Sequence, residues 1–208
     1  MSKVLIINGS PKAKGNTALA LQEVQKTLES QGIETEWMHV GHRDIRGCIG
    51  CGRCRELGKC VFDDLVNEAA AKFQEADGLL IGTPVYYASP AGTIVSFLDR
   101  LFFSTPFSKM MKVGAAVAVA RRGGLTATYD MLHKYFGISN MPIATSRYWN
   151  QVHGFCADDV KKDLEGLQTM RNLARNMAFM VKAFAQAKKE GGCPQMERGM
   201  YTSFPDGK

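Results

Sequence analysis

Four cysteines lie within thirteen residues of this 208-residue chain, in the spacing C-x2-C-x2-C-x5-C: Cys48, Cys51, Cys54 and Cys60. Thiolates at this density are typical ligands of iron-sulfur clusters, and a set of four also suits zinc. Glycines surround them and supply the backbone freedom that a tight loop needs: Gly47, Gly50, Gly52 and Gly58. The last gap is longer than in the bacterial ferredoxin run, and Val61 stands where that run has proline. The loop therefore predicts an iron-sulfur cluster, with zinc and a thiol-redox or vestigial loop as the alternatives.

The composition predicts one globular domain, because 45% hydrophobic and 22% charged residues suffice for a full core. No apolar stretch approaches the roughly 18 to 20 residues of a membrane span, and the N-terminus has no signal-peptide pattern, so a cytoplasmic protein without a membrane partner is expected. In a reducing cytosol disulfides are not expected, and the isolated Cys156 and Cys193 are predicted to be inert. The net charge of +6 suits anionic, phosphorylated cofactors. Nucleic acid is not an expected partner, because the basic residues are spread out and form no recognisable motif.

Apolar runs and helical patterns alternate along the chain. Strands are predicted at 4–7, 34–40, 79–82, 113–120 and 143–146, and helices at 16–32, 64–74, 92–103, 126–136 and 159–188. This alternation predicts an α/β fold, a doubly wound five-stranded parallel sheet with helices on both faces. One domain is expected over 1–190, with the cysteine loop 47–61 inserted after strand two. The tail 191–208 is expected to be disordered or to lie over a neighbouring subunit.

The loop after the first strand carries side chains suited to an anion. It contains Ser10, Lys12, Asn16 and Thr17 and leads into the start of a helix. Backbone N–H groups at a helix N-terminus, with the positive end of the helix dipole, form an anion site whose natural occupant is phosphate. The loop matches neither the Walker pattern nor the Gly-x-Gly-x-x-Gly fingerprint of dinucleotide sites. The sequence therefore predicts a phosphate site for a mononucleotide.

The loop after the third strand is expected at the same edge of the sheet, where ligands bind in open parallel sheets. It contains Pro84, Val85, Tyr86 and Tyr87. Proline fixes the local backbone, so amides of this loop can be held toward a planar heterocycle while an aromatic ring packs nearby. Two half-buried tyrosines in a structural turn are the alternative.

The loop after the fourth strand contains Arg121, Arg122, Gly123 and Gly124. It combines fixed positive charge with a permissive backbone. Such a loop can stabilise an anionic reduced flavin or bind the phosphate of a nicotinamide cofactor. A pair of solvated surface arginines is the alternative.

Four segments of the chain resemble a known family: Asn8-Gly9-Ser10-Pro11, Gly15-Asn16-Thr17, Thr83-Pro84-Val85-Tyr86 and Ser96-Phe97-Leu98-Asp99-Arg100. They are similar to the NADPH-dependent FMN reductase family of flavodoxin-like proteins. With the cysteine loop, the chain resembles the iron-sulfur flavoproteins within that family, over roughly residues 3 to 190. Asp99 and Arg100 lie at the end of a predicted helix and are interpreted as a structural ion pair or an oligomer contact.

The resemblance implies where the cofactors bind. It implies FMN, with its phosphate held by Ser10, Lys12, Asn16 and Thr17 and its isoalloxazine against Pro84, Val85, Tyr86 and Tyr87. It also implies one [4Fe-4S] cluster on Cys48, Cys51, Cys54 and Cys60, because the compact spacing of iron-sulfur flavoproteins allows a longer last gap. Tyr148, Trp149, His153 and Gly154 follow the fifth predicted strand and are expected to wall the pocket or, for Trp149 in particular, to be buried at an interface.

The function expected from these features is an FMN-dependent oxidoreductase that passes electrons between the cluster and FMN. No side chain need act as an acid or base, so no catalytic residue is predicted. The donor is expected to be NAD(P)H or ferredoxin, the acceptor a quinone, an azo compound or a flavin, and the assembly a homodimer or homotetramer. The alternatives are a cluster-free NAD(P)H-dependent FMN, quinone or azo reductase, and a non-enzymatic electron carrier or redox sensor.

Overall fold

Five parallel strands form the sheet of this protein, in a computed structural model that describes residues 2–197 and residue 200. The strands are β1 (Lys3–Asn8), β2 (Glu34–His39), β3 (Gly78–Tyr86), β5 (Val113–Ala120) and β6 (Gln151–His153), in the order β2-β1-β3-β5-β6. β4 (Ser89–Pro90) is a two-residue strand that pairs antiparallel with the end of β3. The predicted doubly wound parallel sheet is confirmed, with β4 as an addition.

Helices cover both faces of the sheet and bury an apolar core on each. They are α1 (Asn16–Ser30), α2 (Cys54–Leu57), α3 (Leu65–Glu75), α4 (Gly92–Ser104), α5 (Leu125–Ile138), α6 (Ala157–Lys162) and α7 (Leu164–Gly191). Alternate side chains of β1 serve the two cores: Leu5 and Ile7 pack with α3, α4 and α5, while Val4 and Ile6 pack with α1 and α7. The central strands are therefore apolar on both faces, as their continuous hydrophobic runs predict.

The strand order places the loops of interest side by side. Chain order reverses at β1, whose neighbours are β2 on one side and β3 on the other. The loops that follow β1 and β3 leave the carboxyl edge of the sheet in opposite directions and open a crevice between them. The cysteine loop leaves β2 and returns to α3, and its short helix α2 packs against α4.

The fifth strand lies later in the sequence than predicted. Residues 143–146 do not form a strand, and Ile143 makes only an isolated bridge with Gly114 of β5. Pro142, which has no N–H, accepts a hydrogen bond from Gly114 and cannot extend the ladder with a donor. The chain then leaves the sheet and returns as β6, which pairs Gln151–His153 with the end of β5.

The final helical segment is divided at Asp163. This residue follows α6, and its carboxylate accepts hydrogen bonds from the backbone N–H groups of Gly166 in α7 and His153 in β6. The predicted single helix over 159–188 is therefore wrong at its first turn, and α7 continues to Gly191. Within the described ranges, no helix is long and apolar enough to cross a membrane. Of the predicted tail 191–208, residues 198–199 and 201–208 lie outside the described residues.

Candidate functional site

A cleft of about 190 Å³ opens at the carboxyl ends of β1, β3 and β5. Eight of the predicted cofactor-binding residues line it: Ser10, Lys12, Asn16, Thr17, Pro84, Val85, Tyr86 and Arg121. The lining also includes Gly154, which was expected to wall the pocket, and four residues that the sequence did not indicate: Gly15, Val119, Ala120 and Phe155. Among the residues that the structure describes, the other four predicted ones lie outside this lining: Tyr87, Arg122, Gly123 and Gly124. The three loops identified from sequence thus meet at one cleft.

The N-terminus of α1 faces this cleft without a side-chain cap. Its N-cap residue is Gly15, and the first turn contains no acidic side chain. The first N–H groups of any helix have no partner within the helix. The start of α1 therefore offers free donors and an uncompensated positive dipole end to an anion, as a phosphate site requires.

The loop before α1 is held in shape by its own polar groups. The backbone N–H of Ser10 donates to Asn8 Oδ1 at 3.0 Å, and that of Lys12 donates to Ser10 Oγ at 3.2 Å. Asn8 is fully buried, and its Nδ2 has no hydrogen-bond partner among the described residues. A buried amide donor without a partner costs stability, and Asn8 itself is not part of the cleft lining.

Asn16 has a role that the sequence did not predict. Its Nδ2 donates to the carbonyl oxygen of Gly154 at 2.6 Å and so ties the start of α1 to the segment after β6. One of the two Nδ2 hydrogens is therefore used, and Asn16 has the other, its backbone N–H and Oδ1 left for other contacts. The tether closes one wall of the cleft.

His39, the last residue of β2, and Gly41 beyond it support the loop between β1 and α1. The Nε2 of His39 donates to the carbonyl oxygen of Ser10 at 2.7 Å. Gly41 is buried against the same loop, where a Cβ atom would overlap the backbone of Gly9 and Ser10. Only glycine allows this approach, so the position of the loop after β1 depends on the residue type at 41.

The turn between β3 and β4 places Tyr87 in solvent. Tyr87 and Ala88 occupy the two central positions of a tight hairpin and both have a positive φ, of 50° and 59°. The Tyr87 side chain is fully exposed, whereas Tyr86 lines the cleft and is half exposed. The structure therefore places Tyr86 at the cleft and Tyr87 outside its lining.

The loop after β5 contributes charge from Arg121 and shape from Gly124. The Arg121 guanidinium lies 5.2 Å from the ring centroid of Phe155, within the range of a cation–π contact. Gly124 has a φ of 86°, and a Cβ there would come within 2.8 Å of Ala88 Cα. Gly124 therefore serves the packing of this loop on the β3–β4 hairpin, while Arg122 and Gly123 are exposed outside the cleft lining.

The four cysteines of the loop after β2 line a second, separate cavity. Its other lining residues are Ile49, Gly52, Val61, Phe62, Arg100, Phe103 and Ser104. Cys48 and Cys51 are exposed, while Cys54 and Cys60 are partly buried. The space enclosed is about 20 Å³, close to the volume that one water molecule needs. A group larger than one water molecule therefore fits only if the exposed half of the loop moves outward. The positive-φ residues Gly50 and Gly52 lie in that half and have open space around them.

A buried arginine forms the floor of this cavity. Arg100 is 1% exposed, and its Nε donates to Cys60 Sγ at 3.3 Å. Its two terminal nitrogens bind both carboxylate oxygens of Asp64, at 2.7 and 2.9 Å. Burial alone would lower the pKa of Arg100, but the hydrogen bonds to Asp64 and Cys60 outweigh it and raise the pKa. Arg100 thus pairs with Asp64 and not, as predicted, with Asp99. The Asp99 carboxylate instead accepts a hydrogen bond from the Tyr135 hydroxyl.

The donor set at this cavity suits a cluster better than one ion. Zinc requires four sulfurs at about 2.3 Å from a single point, and no group of three or more His, Cys, Asp or Glu among the described residues is arranged to hold a metal ion. A four-iron cluster binds each thiolate at a different iron, so its ligands stand around a cavity. Four thiols around one cavity, with an N–H donor beside one of them, fit that chemistry.

Two aromatic residues expected near the cleft lie elsewhere. Tyr148 and Trp149 line a separate pocket with Tyr129, and the Trp149 side chain is 51% exposed. Of the segment after β6, Gly154 reaches the cleft as expected, and Phe155 reaches it as well. Phe155 was missed because the fifth strand was placed too early; an aromatic residue two positions after β6 is the signal that could have identified it.

Comparison with known proteins agrees with this flavodoxin-like fold. A family model described as NADPH-dependent FMN reductase matches residues 2–154. The chain belongs to that family. Family membership makes it a flavin-dependent oxidoreductase with FMN as the flavin and a small-molecule electron donor.

The curated relatives include iron-sulfur flavoproteins. One from Methanocaldococcus jannaschii is 38% identical over 191 residues, which cover 86% of this chain and 97% of the relative. Another from Methanosarcina thermophila is 27% identical over 184 residues, 86% of this chain and 95% of the relative. These names support the iron-sulfur flavoprotein branch of the family.

Solved structures share the fold at low sequence identity. RosB, with a bound 8-demethyl-8-formylriboflavin-5'-phosphate intermediate, has a TM-score of 0.69 at 16% identity, and the match covers 99% of this chain and 93% of that one. A flavodoxin from the domain Archaea has a TM-score of 0.59 at 15% identity, over 86% of this chain and 99% of the other. Both comparisons establish the flavodoxin-like architecture.

Proposed function

We propose that this protein is an electron-transfer oxidoreductase of the iron-sulfur flavoprotein type, with FMN in the cleft and a [4Fe-4S] cluster in the cysteine cavity. The observation that carries the proposal is that all four clustered cysteines line one cavity, in a chain whose carboxyl-edge loops form a separate cleft at the uncapped start of α1. Bound flavin supplies two-electron exchange with a small molecule, and a bound cluster supplies one-electron exchange with a partner.

The cleft residues hold and orient the flavin in this proposal. The free N–H groups at the start of α1 and the side chains of Ser10, Lys12 and Thr17 bind the phosphate. The rigid segment at Pro84 and Val85 supports one edge of the ring system, and Tyr86 packs against it. Arg121 places a positive charge in the cleft, which favours the anionic form of a reduced ring.

The cysteine cavity connects the chain to its electron partner. Its exposed side carries Cys48 and Cys51 together with apolar residues that face solvent, Ile49 at 54%, Leu57 at 47% and Phe103 at 56% exposure. An apolar rim around a redox site is suited to contact with another protein surface. We therefore infer that the cysteine side would face a second subunit of a homo-oligomer, where a cluster held by the four cysteines would supply one-electron exchange with the flavin of that subunit.

Anaerobic reduction of the purified protein tests the enzyme function. Addition of NADH or NADPH is expected to bleach the flavin absorbance in the absence of oxygen. If neither nucleotide bleaches the flavin while dithionite does, the NAD(P)H-dependent function is wrong, and ferredoxin or another low-potential protein becomes the donor to assay.

Serine variants of the cysteines test the cluster. C48S, C51S, C54S and C60S are each expected to lose iron and sulfide but retain FMN, because the two cavities share no lining residue in the described chain. C156S is the matched control, since Cys156 is an exposed cysteine outside the loop, and it should retain both cofactors. Wild-type protein that contains FMN, is reduced by NAD(P)H and never binds iron would be a cluster-free reductase instead.

A further inference from the structure

Arg100 stands out because a charged side chain is buried where the helix should be apolar. In α4 the buried positions Ile94, Phe97 and Leu101 form the stripe that packs on the core, and Arg100 lies beside that stripe with 1% exposure. A buried charge is costly unless every donor is satisfied. The contacts that offset the cost of burying this charge therefore indicate what the Arg100 side chain does.

The five N–H groups of Arg100 all have acceptors, and the acceptors come from both ends of the cysteine loop. Two N–H groups bind the Asp64 carboxylate, as described above. The others bind the carbonyl oxygen of Arg46 at 3.3 Å, the carbonyl oxygen of Phe62 at 3.4 Å and Cys60 Sγ at 3.3 Å. Arg46 precedes the first cysteine of the loop and Phe62 follows the last. One guanidinium thus fixes both ends of the loop and touches one of its sulfurs.

A hydrogen bond to a ligand sulfur has a predictable effect on a cluster. Reduction adds one electron, so the cluster and its thiolates become more negative. An N–H donor and a nearby positive charge stabilise the reduced state more than the oxidised state, which raises the reduction potential. The effect is strong at a buried site, because solvent does not screen the charge.

We propose that Arg100 is a positioning residue that orients Cys60 and raises the reduction potential of the cluster through its Nε–H···Sγ contact. This inference rests on the cluster of the proposed function. It assigns a role to the Asp99-Arg100 motif that differs from an oligomer contact, because the Arg100 side chain is enclosed within its own chain. Asp64 completes the arrangement by holding the guanidinium fork in the plane that directs Nε at the sulfur.

The opposite charges of Arg100 and Asp64 provide a test that a merely structural role would not satisfy. R100Q removes a positive charge and is expected to lower the midpoint potential, so that the ratio of reduced to oxidised cluster at a fixed potential falls about tenfold, equal to about 59 mV. D64N removes a negative charge, but the amide oxygen of Asn still accepts one N–H of the guanidinium, so Nε keeps its contact with Cys60 and the ratio is expected to rise. A loop that was only loosened would move the potential in the same direction in both variants.

The potentials are measured by redox titration of the anaerobic holoprotein, with the reduced cluster followed by electron paramagnetic resonance. R55Q is the matched control, since Arg55 is an exposed arginine of the same loop, and its ratio should change less than threefold because solvent screens its charge. R100K, which keeps the charge but not the planar fork, should give a smaller shift than R100Q in the same direction.

A measurement on the unmutated protein covers the case in which the Arg100 variants do not fold. Arginine labelled with 15N at Nε alone is incorporated, and pulsed resonance spectra of the reduced cluster are recorded. A weak coupling to the labelled nitrogen is expected from the contact with Cys60, and its absence overturns the inference. Potential shifts of the same sign in R100Q and D64N also overturn the inference about Arg100, but they leave the proposed cluster in place. Wild-type protein without iron overturns the proposed function, and the inference with it.

Discussion

Replacement of Gly41 by alanine is expected to weaken FMN binding while the sheet stays folded. Gly41 lies after β2 and is buried against the loop that follows β1. A Cβ atom there would overlap the carbonyl oxygen of Gly9 and the backbone carbon of Ser10. Backbone atoms cannot rotate away as a flexible side chain does, so the two loops must separate by about 1 Å to restore ordinary contact.

The size of the effect follows from hydrogen-bond geometry. A good N–H···O bond spans about 2.7 to 3.2 Å, so a shift of about 1 Å carries a phosphate contact out of that range. A hydrogen bond to a charged group contributes about 1.5 to 3 kcal/mol. Loss of one such bond therefore raises the Kd of FMN about tenfold to a hundredfold. The overlap itself is expected to cost about 1 to 3 kcal/mol of folding stability, as overpacking usually does.

Titration of the apoprotein with FMN, followed by the quenching of flavin fluorescence, measures this Kd. Gly137→Ala is the matched control: it makes the same substitution in α5, where a Cβ meets no atom within 4 Å, and should leave the Kd within about twofold. A folded Gly41→Ala protein whose Kd equals that of the wild type would refute the placement of the phosphate at the loop after β1.

Three further predictions concern stability. Asp64→Asn leaves the buried Arg100 charge without its partner and should lower the free energy of unfolding by about 3 to 5 kcal/mol in urea denaturation. The hydrogen bond from Lys72 lowers the pKa of Glu36 below its ordinary value of 4.5, so this pair stabilises the fold above that pH and loses its effect as the pH falls through the lower, folded-state pKa. The stability difference between wild type and Glu36→Gln, at most about 1 kcal/mol at neutral pH, should therefore vanish in acid. Tyr87→Gly relieves a positive φ at an exposed side chain and should raise the free energy of unfolding by about 1 kcal/mol.

The first two of these predictions each have a control within the chain. Asp63→Asn removes an exposed carboxylate beside Asp64 and should change stability by less than about 0.5 kcal/mol. Glu68→Gln removes a more exposed partner of Lys72, so the stability difference from wild type should depend on pH less strongly than it does for Glu36→Gln. A Tyr87→Gly variant that is less stable than wild type would contradict the strain assigned to the β3–β4 turn.

The sequence predicted the central sheet and the three loops at its edge because their signals are local. β1, β3 and β5 each contain an unbroken apolar run, which only strands buried on both faces require. Residues that directly follow such strands must then meet at one edge of the sheet. That rule suffices to place Ser10, Pro84 and Arg121 at one cleft before any coordinates are known.

The features that the sequence did not predict depend on contacts between residues that lie far apart in the chain. β6 has three residues with only Val152 buried, so its pairing with β5 leaves no periodicity to detect. Asp163 divides the last helical segment because the backbone N–H of His153, ten residues earlier, donates a hydrogen bond to its carboxylate. Arg100 could have been found from the helical phase of α4, which places it beside the buried stripe, but its partner Asp64 lies 36 residues away.

The measurement that tests the central claim most directly is an iron and sulfide assay with a visible absorbance spectrum on protein purified without oxygen. Four thiols around one cavity predict about four irons and four sulfides per chain, together with the two absorbance peaks of bound flavin. A protein with stoichiometric flavin that remains free of iron, even after anaerobic reconstitution with iron and sulfide, would contradict the account of the cysteine cavity.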